Sequence, residues 1–143
     1  MTDKLYLAID PGREKCGLAL VKKNAEPVLL QSVSVSQLDE ILIKIAGQHD
    51  LDLIILGDGT GAEKIRKTVE KTLPYMKIVQ VDEKDTTRTG RTLYWQYQPA
   101  KGWKRLLPEG LRVPDGPVDA YAALAIFHKW QEENNKNPEN LLL

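Results

Sequence analysis

Apolar residues come first in short runs and later at helical spacing. Leu5 to Ile9 is a run closed by Asp10-Pro11-Gly12, which predicts a strand entering a turn. Cys16 to Val21 and Pro27 to Val35 supply two more strands, separated by the polar Lys22-Lys23-Asn24, as in an antiparallel meander. Ser36 is placed to cap a helix reaching Gln48, with Leu38, Ile41, Leu42 and Ile45 on one face. Leu53 to Leu56 is continuously apolar and ends at Gly57, as a strand buried on both faces should. Ala62, Ile65, Val69 and Leu73 mark a second helix stopped by Pro74, and Met76 to Val81 reads as the fifth strand. Thr86 to Tyr97 is expected to be helical, and Pro99 to Pro114 irregular. Pro117 suits the first position of a last helix reaching about Trp130.

No repeat or linker divides this pattern, and 143 residues suit one domain with one core. The expected domain is residues 1–131, with 132–143 an Asn-rich flexible tail. Three meander strands followed by helix-linked parallel strands is the order of the RNase H-like fold. This α/β fold has a mixed five-stranded sheet (order 3-2-1-4-5) flanked by helices on both faces. With right-handed crossovers, the carboxyl ends of strands one, four and five share an edge. Adjacent strands lie about 4.8 Å apart, so side chains there can meet around one ion. The residues at those ends are Asp10, Asp58 and the pair Asp82-Glu83, and Asp119 falls in the first turn of the last helix. Each has an ordinary use as well: Asp10 and Asp58 as turn formers, Asp82 and Glu83 as solvated charges, Asp119 as a complement to the helix dipole. Their coincidence at converging positions favours a shared site. Clustered carboxylates repel without a cation, and an oxygen-only site selects Mg²⁺ or Mn²⁺.

Composition narrows the alternatives. Twenty basic and 20 acidic residues give no net charge, so a polyanion must be met by a local patch. One Cys and two separated His (His49, His128) do not make a thiolate or imidazole zinc site. The lone Cys16 fits a reducing compartment. No apolar run approaches the roughly 20 residues of a membrane span, and no secretory leader pattern opens the chain. A cytoplasmic location without membrane contact is therefore expected.

Three segments carry a family resemblance. LAIDPGREKCGLAL, with Asp10, Gly12 and Gly17, resembles the first-strand motif of RuvC and of YqgF-type Holliday junction resolvase-like proteins. VDEKDTT (81–87) resembles the YqgF pattern of a strand ending in Asp-Glu-Arg followed by Ser or Thr. PVDAYAALAI (117–126) resembles the closing motif, an Asp before an alanine-rich helix. The resemblance covers residues 4–130 and implies an RNase H-like nuclease hydrolysing phosphodiesters of structured RNA or DNA, a Holliday junction or a ribosomal RNA precursor, with Mg²⁺ or Mn²⁺. It assigns acidic, metal-binding and catalytic roles to Asp10, Glu83 and Asp119, and a phosphate contact to Lys15. Two departures stand out: Gly57-Asp58-Gly59-Thr60 replaces the usual Gly-Leu-Pro, and Lys84 replaces an Arg. RuvC carries an acid at the end of strand four, where Asp58 falls, so Asp58 joins the candidate set. Junction cleavage implies a homodimer; RNA trimming does not require more than a monomer.

Two other readings compete. Gly57-Asp58-Gly59-Thr60-Gly61-Ala62 fits a dinucleotide fingerprint, but Asp58 would repel the pyrophosphate and the motif does not open the fold. The other is a nucleic-acid-binding protein that kept the fold without catalysis. Residues 84–112 hold Lys84, Arg88, Arg91, Lys101, Lys104, Arg105 and Arg112 against Asp85 and Glu109, with Tyr94, Trp95, Tyr97 and Trp103 interleaved. Such a track suits a phosphate backbone with bases stacked beside it, and Arg88, Arg91, Lys104 and Arg105 are its candidate contacts.

Overall fold

The structure, a computed structural model, describes residues 4–84 and 118–136. Strands β1 (Lys4–Asp10), β2 (Lys15–Lys22) and β3 (Pro27–Ser34) form the antiparallel meander. A turn of 3₁₀ helix (Val35–Gln37) leads into α1 (Leu38–Gln48), followed by β4 (Asp50–Gly57), α2 (Ala62–Thr72), β5 (Ile78–Val81) and α3 (Val118–Lys136). The sheet order is β3-β2-β1-β4-β5, with β4 parallel to both β1 and β5. The expected helix over Thr86–Tyr97 lies outside the described residues.

Alternation along the strands divides the core into two layers. Leu5, Leu7 and Ile9 of β1, with Ile54 and Leu56 of β4, face Leu38, Leu42 and Ile45 of α1 and Ile65 and Val69 of α2. Ala8, Ala19, Ile55 and Val81 face the other way, against Tyr121, Leu124 and Phe127 of α3. The small side chains Ala8 and Ala19 let α3 lie close to β1 and β2. The helix runs from Asp119 at the Gly17 end of β2 to Trp130 over Tyr6, where Tyr6, Phe127 and Trp130 cluster with ring centroids 5.4–6.0 Å apart. That separation along α3 is about 16 Å at 1.5 Å per residue.

Several boundaries differ from the sequence reading. Ser36 does not cap α1: its hydroxyl pairs with that of Ser34 at 2.9 Å, and α1 begins at Leu38. The amide of Val35 still donates to the Glu14 carbonyl (2.8 Å), so the chain stays tied to the head of β2 past the expected cap. Strand β5 starts at Ile78 rather than Met76, because the Met76 amide closes a turn onto Leu73 (3.0 Å). Helix α3 runs on to Lys136, tied down near Trp130 by a hydrogen bond from Gln131 Nε2 to the Lys23 carbonyl (2.9 Å).

Candidate metal centre at the carboxyl end of the parallel strands

Asp10, the last residue of β1, follows Tyr6 and Ala8 in alternation and so belongs to the α3 face. Glycines stand on both sides of it. On β2 its register partner is Gly17; on β4, Ile9 pairs with Leu56, so Gly57 is the next residue along. Each glycine leaves room for a different acidic residue. A Cβ on Gly17 would run into the backbone carbonyl of Asp119, so the first turn of α3 settles on that bare stretch of strand. A Cβ on Gly57 would run into the carboxylate of Glu83, and one on Gly59 would do the same. Glu83 lies two residues beyond Val81, on the same face, and reaches back across Gly57 toward Asp10.

The result is a half-buried group of Asp10, Glu83 and Asp119, drawn from β1, the end of β5 and α3. Asp10 is hydrogen-bonded to Glu83, and its carboxyl is pushed up from 3.8 to about 8. Burial is the largest cause, followed by the Glu83 hydrogen bond and the charges of Glu83 and Asp119. Asp119 is oriented by the Ser32 hydroxyl, which donates to its Oδ2 at 3.2 Å from β3. Ser32 is the register partner of Gly17, a placement that only the strand pairing reveals. Cys16, on the opposite face, has its thiol pushed up to about 12, by burial first and then by Asp10 and Asp119, so it stays protonated.

Asp58 is placed differently. It follows Leu56 in alternation, its side chain is exposed, and its Oδ1 accepts the backbone N–H of Glu83 at 3.0 Å. Asp82 is also exposed and closes a local turn by accepting the Lys84 amide at 2.9 Å. Lys15 opens β2 at the same end and on the same face as Asp10, exposed to solvent. Arg88, Arg91, Lys104 and Arg105 lie outside the described residues.

The donor set fits a hard cation: oxygen-only and mutually repelling, with a proton held above its ordinary range in the place a cation would take. Among the described residues, no three Asp, Glu, His or Cys side chains stand already spread in a ligating arrangement. Asp10 and Glu83 are instead hydrogen-bonded to one another, so an ion taken up between them would displace the proton held on Asp10. No described helix is long and apolar enough to cross a membrane.

No protein-family model and no curated protein matches the sequence. Solved structures do match. Thermus thermophilus RuvC in complex with a Holliday junction substrate is similar over 91% of this chain and 96% of its own, at 11% identity and a TM-score of 0.57. A second structure of that RuvC gives 90%, 96%, 11% and 0.53. A ROK family transcriptional regulator, a homolog of the E. coli MLC protein, matches 63% of this chain at a TM-score of 0.44, and this chain spans only 30% of its length. Strand order, strand directions and the near-complete overlap with RuvC agree that the chain has an RNase H-like fold.

Proposed function

We propose that this chain is a nuclease that hydrolyses phosphodiesters of structured nucleic acid with the help of Mg²⁺ or Mn²⁺. The observation that carries the reading is the convergence of Asp10, Glu83 and Asp119 at one end of an RNase H-like sheet, with Asp10 held protonated up to about pH 8. Asp10 is central, and Glu83 and Asp119 approach it from opposite sides, so these three residues would hold the metal. When bound, divalent ions of this kind activate water and stabilise the leaving oxygen of a phosphodiester. The three carboxylates would hold the ions, the Ser32 hydroxyl orients Asp119 by donating to its Oδ2, and Lys15, exposed at the head of β2, would meet an incoming phosphate. The basic and aromatic stretch 84–112, with Arg88, Arg91, Lys104 and Arg105, supplies the longer nucleic-acid track. The Holliday junction bound in the similar RuvC structure makes branched DNA the first substrate to try and a homodimer the first assembly to look for.

The dinucleotide reading is disfavoured by a specific contact. The space beside Gly57 and Gly59, where a pyrophosphate would need to approach the backbone, is filled by the Glu83 carboxylate. Gly61, at φ +89°, is packed against the Gly12 carbonyl instead.

The test is incubation with Mn²⁺ and a panel of junction, duplex and structured RNA substrates, beside Asp10→Asn. Turnover should appear on at least one structured substrate. It should fall in the variant by more than the roughly 10–100-fold that loss of an outer-shell partner costs. Metal-independent cleavage, or full activity in Asp10→Asn, contradicts the reading. Saturable binding without cleavage identifies a non-catalytic binder.

A further inference from the structure

The loop after β4 does more than turn the chain. Strand β5 ends at Val81, so Glu83 belongs to no strand and its position must come from other tethers. The segment 82–84 has hydrogen bonds at each residue. Asp82 accepts the Lys84 amide, Lys129 Nζ of α3 donates to the Lys84 carbonyl at 3.3 Å, and Asp58 Oδ1 accepts the Glu83 amide at 3.0 Å. The bond from Asp58 is the one that grips the backbone of Glu83 from the neighbouring strand. It works together with the bare backbone of Gly57 and Gly59, over which the Glu83 side chain lies. Asp58 itself is exposed and on the opposite alternation from Asp10, and its charge is not among those acting on Asp10.

We propose that Asp58 is a positioning residue: it fixes Glu83 for the metal centre through its backbone amide, and does not ligate the ion. Gly57-Asp58-Gly59 is then one device. The glycines clear a path for the Glu83 side chain, and the aspartate between them holds that side chain's root. An acceptor oxygen is needed at Asp58, but a negative charge is not. A ligand would need the charge. The role at the metal rests on the function proposed above, whereas the grip on Glu83 does not.

The experiment compares Asp58→Asn and Asp58→Ala in the full chain by two readouts. Amide hydrogen exchange at Glu83, followed by NMR without metal, tests the grip alone. Asp58→Asn keeps an acceptor oxygen and should leave Glu83 protected. Asp58→Ala should speed its exchange about fivefold or more, the change expected for one hydrogen bond. Mn²⁺ titration tests the consequence. Asp58→Asn should stay close to wild type and Asp58→Ala should lose on the order of tenfold in affinity, as outer-shell substitutions do. Unaltered Glu83 exchange in Asp58→Ala overturns the grip. Mn²⁺ affinity lost equally in both variants makes Asp58 a ligand and overturns the proposal. If wild type binds no Mn²⁺ while Glu83 exchange still follows the acceptor, the metal centre fails and the positioning of Glu83 stands.

Discussion

The two ends of this sheet treat the same chemical group in opposite ways. At the amino end of the parallel strands, Asp52 sits in solvent with Lys4 at 3.9 Å, and Glu26 with Lys22 at 3.7 Å. At the carboxyl end, Asp10, Glu83 and Asp119 are half-buried against one another, and a proton on Asp10 does what the lysines do elsewhere. Exposed pairs contribute little to stability and are replaceable, whereas a buried carboxyl cluster costs stability unless something neutralises it. A fold gains nothing structural from the second arrangement. On the function proposed above, its presence at the edge where three parallel strands end makes that edge the candidate working one.

The largest effects should come from the two glycines beside Asp10, and they should differ in kind. Gly17→Ala drives a methyl into the backbone of α3, which cannot swing aside, and should destabilise the fold by about 1–3 kcal/mol in chemical denaturation. Gly57→Ala meets the Cγ, Cδ and Oε1 of the Glu83 side chain rather than backbone, and a side chain can rotate away. It should leave stability within about 0.5 kcal/mol while lowering Mn²⁺ affinity on the order of tenfold. Equal loss of stability in both variants would remove the distinction between a packing glycine and a site glycine.

The protonated Asp10 predicts a pH dependence of opposite sign to that of a salt-bridged aspartate. Between 3.8 and about 8 the folded chain holds a proton that the unfolded chain has released. Without metal, stability should therefore fall as pH rises through that window, by on the order of 1–2 kcal/mol after allowing for solvent screening of half-exposed groups. Asp10→Asn should flatten the decline. A wild-type profile that runs parallel to that of Asp10→Asn over the same range would show that Asp10 is not protonated there.

The smallest effect belongs to the amino end. Lys4→Ala should change stability by less than about 1 kcal/mol, as expected for an exposed pair, and leave Mn²⁺ binding as it was.

Much of this was legible before the structure. The strands declare themselves as short apolar runs closed by Gly, Pro or Asp, and their order places Asp10 and Glu83 at the same end of the sheet. What the sequence did not yield depended on three-dimensional pairing. Asp58 and Glu83 both follow strands four and five closely, but the alternation through Ile55 and Gly57 turns Asp58 off the face that Asp10 occupies. Ser36 matches a capping pattern, yet the Val35 amide is already engaged by Glu14. Ser32 is unremarkable until β3 pairs with β2 and sets it below Asp119. Asp50 and Asp52 disguised the start of β4, because its first residues pair with β1 at an exposed end.

The central claim is that the site formed by Asp10, Glu83 and Asp119 exchanges the proton held on Asp10 for a divalent ion. Calorimetric titration of Mn²⁺ into the full chain at about pH 6.5 and about pH 8.5, in buffers of different ionisation enthalpy, measures that exchange directly. The account predicts tighter binding at the higher pH, release of about one proton per site at the lower, and no binding at this site in Asp10→Asn. Binding that is independent of pH and unchanged in Asp10→Asn, or no binding by the wild type at either pH, would contradict it.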